Sequence, residues 1–578
     1  MRPSDPKSFT VRSVTSLPFT KMPSCKQCTS AFEITSDDLA FYEKVSPEFK
    51  GKKEPIPPPT LCFSCRLRRR LAHRNERKLY HRKCDQTGRQ IISLYAPGKE
   101  VVVYDQKEWW GDGWDPREYG QAFDFNRPFF EQFAELRRKV PRMALLQEHN
   151  ENSDYTSNVS HLKNCYLLFS SDFNQDCCYG IWIERCRDCF DNFMLDECER
   201  TYESVFSRKI YGSSFVYFSI DCRDSAFLFD CHGCADCFMC WGLRNKQYHI
   251  ANVPYSKEEY LAKRAEFPLT SRENLEACKQ QFADLLKKAA HPAVWQRGRI
   301  SESTGDFLAD VQHCVDCFEV REGRDCTRVF SGFKVKDIAD SNHVMGELAY
   351  ENSECFPTPQ HAAFNMNSYS GADLYYCDLC MNNCRDLFGC VGMKYAQYCI
   401  LNTQYTEQEY TELVPKIIEH MRTTGEWGEF FPIALSLFGY DESGAQDHFP
   451  LTEEEVRRND WPWYGEQEKA AQYLGPSVEV PDDIRSVDDD LCGKILICEA
   501  SGKPYKIIPQ ELKFYRSMGL PVPRRSPDQR NKDRHAYRSP LRLWKRTCAK
   551  CKKEIKTSYQ PSRPEIVYCE NCYLQEVY

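Results

Sequence analysis

The sequence predicts a mainly β, multi-domain protein. Duplicated zinc-ribbon or treble-clef modules at both ends flank two short β-solenoid blocks of twelve-residue repeats with connecting helices. Two observations lead to this fold class: Cys-x2-Cys pairs recur near both ends of the chain, and small residues return every twelve positions in its middle. At 578 residues the chain has room for about four domains.

The two ends of the chain repeat one plan. Adding 473 to a residue number carries Cys25 to Cys498, and adding 464 carries Cys84 to Cys548. Adding 464 also carries Arg66, Arg70 and Arg74 to Arg530, Arg534 and Arg538. The repetition indicates an internal duplication that brackets everything between the two modules.

Each module contains one complete set of four metal ligands. The first set is Cys25, Cys28, Cys62 and Cys65, and the second is Cys548, Cys551, Cys569 and Cys572. The two-residue gap within each pair lets both thiolates turn around one tetrahedral Zn²⁺ ion. We therefore expect two Zn²⁺ ions per chain; the alternative is two disulfides or four unligated thiols at each place.

Each module also contains a second set of ligand positions that has lost three of its four cysteines. In the first module these positions are Cys84, Thr87, Asp105 and Glu108, and in the second they are Cys498, Ser501, Ser526 and Gln529. Asp105 and Glu108 could still help Cys84 to bind a metal. A lapsed site held together by packing is the preferred interpretation.

Basic charge is concentrated beside the metal ligands, although the net charge of the whole chain is −7. Residues 66–83 hold nine Lys and Arg against one Glu, and residues 524–553 hold twelve against two Asp. A four-residue spacing predicts arginine rows on one helix face: Arg66, Arg70 and Arg74, repeated as Arg530, Arg534 and Arg538. Guanidinium groups match phosphate oxygens, so these rows predict contact with nucleic acid, RNA in preference to DNA. The alternative is a solvated helix face or packing on aromatic side chains.

The middle of the chain repeats with a period of twelve. Small residues recur at Cys165, Cys177, Cys189, Thr201, Ser213, Ser225 and Cys237, usually after Asn or Asp. Twelve residues fit one coil of a narrow β-solenoid in which Cys serves as a small buried hydrophobe. A second block begins near Cys314, and a step of 150 relates the ends of the two blocks.

Extra cysteines gather at the end of each solenoid block. They are Cys231, Cys234, Cys237 and Cys240 in the first block, and Cys377, Cys380, Cys384 and Cys390 in the second. The first group is similar to an iron–sulfur cluster motif. Alternating side chains of a strand would scatter these thiols, so stacked free thiols are preferred to an iron–sulfur cluster or zinc; whether either group binds metal stays open.

These patterns divide the chain into eight segments. They are a disordered tail 1–22, zinc module 23–115, helical linker 116–160, solenoid 161–252, helical connector 253–300, solenoid 301–402, helix with aromatic and acidic linker 403–490, and zinc module 491–578. The N-terminus has no apolar stretch typical of a signal peptide, and the longest apolar run is too short to span a bilayer. We expect a cytoplasmic protein whose thiols are reduced.

The first module also carries a family resemblance. It rests on Ile34-x3-Asp38-Leu39-x-Phe41-Tyr42, on Leu61-Cys62-x2-Cys65-Arg66 and on Arg74-Asn75-Glu76. The chain resembles uncharacterised bacterial proteins from very small candidate-phylum genomes, with zinc-ribbon or treble-clef modules around a Cys-rich repeat. Some of these carry a label as CaiB/BaiF acyl-CoA transferases, which no residue here supports.

These observations predict a non-enzymatic, zinc-structured binding protein. In the first interpretation the basic modules contact nucleic acid, with RNA or a ribonucleoprotein favoured, on a rigid solenoid. In the second the chain is a protein–protein interaction scaffold whose solenoid surface is the binding face. No nucleophile elbow, phosphate loop or His-Glu zinc motif predicts an enzyme.

Overall fold

The computed structural model describes residues 22–465, 475, 478–538 and 540–578. The predicted tail therefore lies, apart from residue 22, outside the described residues, as does part of the acidic linker. The α-helices are α1 Ser36–Val45, α2 Phe63–Leu71, α3 Gln106–Trp110, α4 Phe129–Lys139, α5 Lys257–Ala265, α6 Arg272–Leu286, α7 Glu407–Thr423, α8 Gly444–His448, α9 Glu453–Arg458, α10 Pro509–Met518, α11 Pro527–His535 and α12 Glu570–Val577.

Short strands belong to the terminal modules and to the segments that enter the solenoids. They are β1 Glu48–Phe49, β2 Lys52–Lys53, β3 Tyr80–Lys83, β4 Gln90–Ser93, β5 Val103–Tyr104, β6 Arg142–Met143, β20 Ala290–Pro292, β32 Leu496–Ile497, β33 Pro504–Tyr505, β34 Trp544–Thr547, β35 Glu554–Thr557 and β36 Ile566–Tyr568. The β3–β4 and β34–β35 pairs are equivalent antiparallel hairpins in the two modules.

Two parallel sheets form the solenoids and confirm the predicted fold class. The first comprises β7 Gln147–Glu148, β8 Ser157–Ser160, β9 Phe169–Asp172, β10 Ile181–Glu184, β11 Arg187–Phe190, β12 Phe193–Asp196, β13 Glu199–Tyr202, β14 Val205–Tyr217, β15 Ile220–Arg223, β16 Ala226–Phe229, β17 Ala235–Trp241, β18 Gln247–Ile250 and β19 Val253–Pro254. The second comprises β21 Gln296–Ser301, β22 Gly305–Val315, β23 Cys317–Thr327, β24 Phe330–Ala339, β25 Asn342–Tyr350, β26 Ser353–Cys355, β27 Ala362–Ala363, β28 Ala372–Tyr375, β29 Arg385–Phe388, β30 Gln397–Ile400 and β31 Thr403–Gln404. Most parallel partners lie twelve residues apart, as in Ile181↔Phe193 and Cys314↔Cys326. The step is eleven or thirteen at some places in the second sheet, and the last strand of each sheet, β19 or β31, pairs antiparallel.

A period of three underlies the period of twelve. From Asn158 to Met239 every third residue has a φ between 47° and 64°, so each coil turns four corners. The residue after each corner points inward, and the next points outward. Asn and Asp tolerate positive φ better than most other non-glycine residues, which explains their frequency just before the inward residue.

Many inward residues are Cys, Ser or Thr, whose side chains donate to backbone carbonyls, and others are aliphatic, such as Leu162 and Ile183. The Sγ atom of Cys189 donates to the carbonyl of Arg187 at 3.3 Å. One coil later Thr201 donates to the carbonyl of Glu199 at 3.3 Å. Cysteine therefore acts here as a small apolar side chain that still offers a weak donor.

The clustered cysteines at the solenoid end follow the same rule. Cys231, Cys234, Cys237 and Cys240 each donate to the carbonyl two residues before them, at 3.2–3.6 Å. The prediction that strand alternation scatters them is wrong, because the period of three turns all four toward one lumen. The structure therefore contains stacked thiols that donate hydrogen bonds to backbone carbonyls.

Asparagines cap both solenoids. The side chain of Asn252 accepts from the amide of Trp241 and donates to its carbonyl, at 3.0 and 2.8 Å. Asn402 makes the same two bonds to Val391, both at 2.8 Å. The last coil of each block thus keeps its backbone groups paired.

The two solenoids lie side by side, and aromatic corners fill the space between them. Phe206 stacks on Phe307 with ring centroids 4.1 Å apart, and Phe218 stacks on Trp295 at 4.6 Å. Phe206, Phe218 and Phe307 sit at positive-φ corners, and Trp295 directly precedes β21. The contact between the blocks is therefore an aromatic seam.

The helical parts of the modules cross over to the distant solenoid. Helix α1 and its neighbours share a hydrophobic cluster with the second solenoid. Helix α10 and its neighbours share one with the first solenoid. In contrast, β5 pairs with β6 just before the first solenoid, and β36 pairs with β20 just before the second. Each module therefore contacts both solenoids. The first module packs on the second solenoid as the second module packs on the first, so the two halves of the molecule are approximately equivalent.

Within the described ranges, no helix combines the length and the apolar character that crossing a bilayer requires. The longest of these helices, α7, has charged residues in its first and last turns.

We predict that Cys189→Ser changes the free energy of unfolding by about 1 kcal/mol or less, since a hydroxyl keeps the bond to the carbonyl of Arg187. Cys189→Leu should lower it by about 1–3 kcal/mol, because the lumen has no room for added methylenes. Denaturant unfolding of the full chain measures both. Equal effects of the two substitutions would contradict the donor role.

Candidate metal centres and the buried arginine rows

The structure brings both predicted cysteine quartets together. Within each quartet all four sulfur atoms lie within 4.8 Å of one another. Among the described residues these are the two His, Cys, Asp or Glu groups that meet this distance. Four converging thiolates form a closed tetrahedral site that suits Zn²⁺ or iron and leaves no position open for a substrate.

Each quartet has one exposed edge. Cys28 and Cys551 are exposed, while Cys25 and Cys548 are buried. In the first quartet the sulfur atoms of Cys28 and Cys62 lie 3.7 Å apart, and the equivalent pair in the second quartet has the same separation. The two centres therefore have the same geometry.

A tight turn presents the first cysteine pair of each site. The amide of Cys25 donates to the carbonyl of Ser30 at 2.9 Å, and the amide of Thr29 donates back to Cys25 at 2.9 Å. Thr29 has a φ of 61°, which opens the turn so that both sulfurs face one point. The structure repeats this turn at Cys84, Cys498 and Cys548.

The second cysteine pair begins a helix. Cys62 is the N-cap of α2 and Cys569 is the N-cap of α12, and neither side chain caps its own helix. Their sulfur atoms are thus free to bind the metal. The amide of Cys569 also donates to the sulfur of Cys548 at 3.2 Å.

The two lapsed sites keep this architecture without the ligands. Asp105 and Ser526 occupy the N-cap positions, and their side chains accept hydrogen bonds from their own helices, α3 and α11. The amide of Asp105 still donates to the sulfur of Cys84 at 3.3 Å. Glu108 pairs with Arg89 at 2.5 Å, so a metal held jointly by Cys84, Asp105 and Glu108 is not favoured.

The remaining thiol of the second lapsed site is partly activated. Burial alone would raise the pKa of Cys498, but the Ser501 hydroxyl and the amides of Ser501 and Ser526 stabilise the thiolate and lower the pKa to about 7. In this lapsed site, hydrogen bonds stabilise the thiolate that a metal ion would otherwise stabilise.

The arginine row of the first module points into the protein. Arg66 pairs with Asp340, and Arg70 donates to Glu351 at 2.8 Å. The guanidinium of Arg70 also donates to the side-chain oxygen of Asn342 at 2.9 Å. Burial would raise the pKa of Asp340, but the nearby guanidinium groups, including that of Arg66, hold it below its usual value.

The row of the second module makes the equivalent contacts on the other solenoid. Arg530 and Arg534 both bind Asp191, at 2.5 and 2.8 Å. Arg530 also pairs with Glu511 of helix α10 at 3.0 Å. Asp191 and Glu511 are fully buried, so the arginines neutralise charges that water cannot reach.

The third arginines of the two rows, Arg74 and Arg538, lie close together because both contact Trp182. Arg74 pairs with Glu354 and donates to Ser170 at 2.9 Å. Arg538 forms a two-pronged pair with Glu319 at 2.8 and 2.7 Å. Both guanidinium groups lie over the ring of Trp182, at 5.7 and 5.8 Å.

The predicted nucleic-acid contacts of these arginines are therefore wrong. The side chains of Arg66, Arg70, Arg74, Arg530, Arg534 and Arg538 are at most 7% exposed. Their carboxylate partners satisfy the charge that a phosphate was expected to satisfy. The rows fasten the modules to the solenoids.

Sequence reasoning missed those partners. Asp191 and Asp340 are 149 residues apart, close to the 150-residue step between the solenoid ends, and both are corner residues with positive φ. That near-equivalence is the signal that could have paired each aspartate with an arginine row. Glu351 and Glu354 follow no such relation and could be assigned only from the structure.

Comparisons with known proteins give little further information. No protein-family model and no curated protein matches the chain. Among solved structures, it is similar to a protein assigned as an acetyltransferase from Desulfovibrio desulfuricans G20, at 9% identity over 38% of this chain and 65% of that chain. The TM-score is 0.09, so this likeness supports no statement about fold or activity. The resemblance to bacterial zinc-ribbon proteins stays a prediction.

We predict that the purified chain holds about two metal ions, one for each closed four-thiolate site. Cys28→Ser should reduce the content to about one by opening the first quartet. Cys84→Ser is the matched control, because it removes the remaining thiol of a lapsed site and should leave about two. Elemental mass spectrometry measures each count; a loss of metal in the control would contradict the assignment of the ligands.

We also predict that Arg534→Ala lowers the free energy of unfolding by about 3–5 kcal/mol, because it leaves buried Asp191 short of a cation. Arg458→Ala is the control: that side chain is 68% exposed in a pair with Glu454, and its loss should cost about 0.5 kcal/mol or less. Denaturant unfolding compares them, and similar costs would show that the buried pair does not hold the module.

Proposed function

We propose that the protein is a non-enzymatic, zinc-structured scaffold that presents its solenoid surface to a protein partner. The inward direction of both arginine rows is the observation that carries this proposal. The arginines of the basic helices already bind carboxylates of the solenoids. The surface that remains for a partner is the open side of the solenoids, meaning the side that no module covers, together with the outer edges of the modules.

Zn²⁺ is the ion that we assign to both quartets. Four cysteine thiolates with Cys-x2-Cys spacing are the usual ligands of structural zinc, and a closed site stabilises a fold without catalysing a reaction. In this role the metal fixes the turn at Cys25 against the start of α2, and the turn at Cys548 against the start of α12. A reducing compartment such as the cytoplasm suits the many free thiols.

A row of stacked side chains marks the open side of the first solenoid. Arg187, Glu199, Tyr211 and Arg223 occupy the same place in four successive coils and are in register. At about 4.8 Å per coil the row extends roughly 14 Å. Tyr211 is 45% exposed, and a tyrosine among arginines is the composition typical of residues that dominate protein–protein binding.

The rigidity of the scaffold favours such a contact. Backbone hydrogen bonds between coils hold the row at fixed spacing, so binding a partner orders few additional residues. Arg187 and Glu199 already pair across adjacent coils, which preorganises the charges on one side of the tyrosine ring.

We predict that a photo-crosslinking amino acid at position 211, introduced in native cells, yields a discrete protein adduct. Mass spectrometry identifies it, and Tyr211→Ala should then weaken binding of the purified partner by about 2 kcal/mol or more, as expected for a central tyrosine.

The matched control carries the crosslinker at Leu261, which is 55% exposed on α5, away from the row. An adduct common to both positions, an adduct that nuclease removes, or unchanged binding by Tyr211→Ala would each overturn the proposed function.

A further inference from the structure

The four equivalent turns, which begin at Cys25, Cys84, Cys498 and Cys548, share one geometry but differ in charge. Residues 542–556, called here the fourth hairpin, hold seven Lys and Arg against one Glu, a net charge of +6. The equivalent residues of the first module, 78–92, hold four Lys and Arg against one Asp, a net charge of +3. Since the backbone is equivalent, folding alone does not explain the difference.

The lysines of the fourth hairpin face solvent. Those exposed are Lys545, Lys550, Lys552, Lys553 and Lys556. Lys545 approaches Glu554 at 3.6 Å, but their side chains are 75% and 71% exposed, and pairs of this kind contribute little to stability. In the first module, by contrast, Arg82 is buried against Asp85 and Arg89 pairs with Glu108.

Two of these lysines stand directly opposite each other. In the antiparallel pair β34–β35, Lys545 is the partner of Lys556. The equivalent pair in the first module is His81 and Ile92. Like charges at directly opposed strand positions are destabilising, so the fourth hairpin keeps a local repulsion that a bound polyanion would relieve.

Charge balance at the metal centre does not account for the lysines. Four thiolates and one Zn²⁺ carry a net charge of −2, and Glu576 pairs with Lys550 at 3.2 Å, which leaves the hairpin with a surplus of +3. The first quartet has the same ligands but only Lys26 within its turn; the guanidinium of Arg68, 3.7 Å from the sulfur of Cys65, lies nearby. Two cations, Lys26 and Arg68, therefore balance the charge of −2 at the first quartet.

Aromatic rings accompany the lysines. Trp544 lies half-buried in strand β34 with the guanidinium of Arg542 over its ring at 5.6 Å. Tyr568 is also half-buried and lies 5.7 Å from the ammonium of Lys550. Cations interleaved with partly open aromatic faces suit an unpaired nucleotide, which offers both a phosphate and a base to stack.

We propose that the fourth hairpin binds the phosphodiester backbone of a single-stranded nucleic acid, with Lys545, Lys553 and Lys556 as the principal cations and Trp544 as the stacking face. This inference goes beyond the proposed function and concerns a separate surface, so the solenoid row can bind its protein partner whether or not the hairpin binds nucleic acid.

The test uses the full chain and a fluorescent single-stranded oligouridylate, with fluorescence anisotropy as the measurement. The triple variant Lys545→Gln, Lys553→Gln, Lys556→Gln should weaken binding roughly 100-fold at about 0.1 M salt, because each lost phosphate contact removes about 0.7 from the slope of log K against log salt. The slope itself should fall by about 2.

The matched control is Lys263→Gln, Lys287→Gln, Lys288→Gln, which removes the same charge from exposed lysines on and after helices α5 and α6. It should bind the oligonucleotide as the unaltered chain does. Metal content shows whether the hairpin variant keeps its second quartet, and crosslinking at position 211 reports separately on the proposed function.

Three outcomes would overturn the inference. The unaltered chain could fail to bind the oligonucleotide at low salt, or the two triple variants could lose affinity equally. Alternatively, polyglutamate could displace the oligonucleotide at an equal concentration of charge, which would assign the hairpin to acidic proteins instead.

Discussion

Buried pairs of guanidinium and carboxylate groups hold this molecule in its arrangement. Arg66 with Asp340, and Arg530 with Asp191, connect each metal module to the solenoid that is more distant in the chain. An unpaired charge in such an environment would cost several kcal/mol. Because both aspartates lie at solenoid corners, only one placement of each module satisfies all the charges, and the pairs specify the orientation of the module as much as they stabilise it.

The first metal centre and the first arginine row are connected through one helix. The helix that Cys62 begins also carries Arg66 and Arg70, so a metal bound by the first quartet would fix the start of the helix whose arginines enter the second solenoid. In the second module, α11 carries its arginines without an ion, because Ser526 caps it instead. A hydrogen-bonded cap can thus replace a metal ligand where the surrounding packing already holds the helix.

Much of the architecture could be predicted from short-range patterns. Cys-x2-Cys pairs and twelve-residue columns depend on residues that are close in the sequence or in adjacent coils. The period of three was missed because only the inward residue is restricted to small or aliphatic types, while corner and outward residues vary. The direction of the arginines could not be predicted either: charge alone does not distinguish a phosphate from a buried glutamate 285 residues away, as for Arg66 and Glu351.

The crossed packing also bears on how the chain matures during synthesis. The helices of the first module leave the ribosome long before the second solenoid to which they attach. The first solenoid awaits helices of the second module, as with Asp191 and Arg534, which are 343 residues apart. Domains usually fold in order as they emerge. Here neither half can complete its interface alone, so the nascent polypeptide passes through a prolonged stage with exposed aromatic surface, a natural substrate for chaperones.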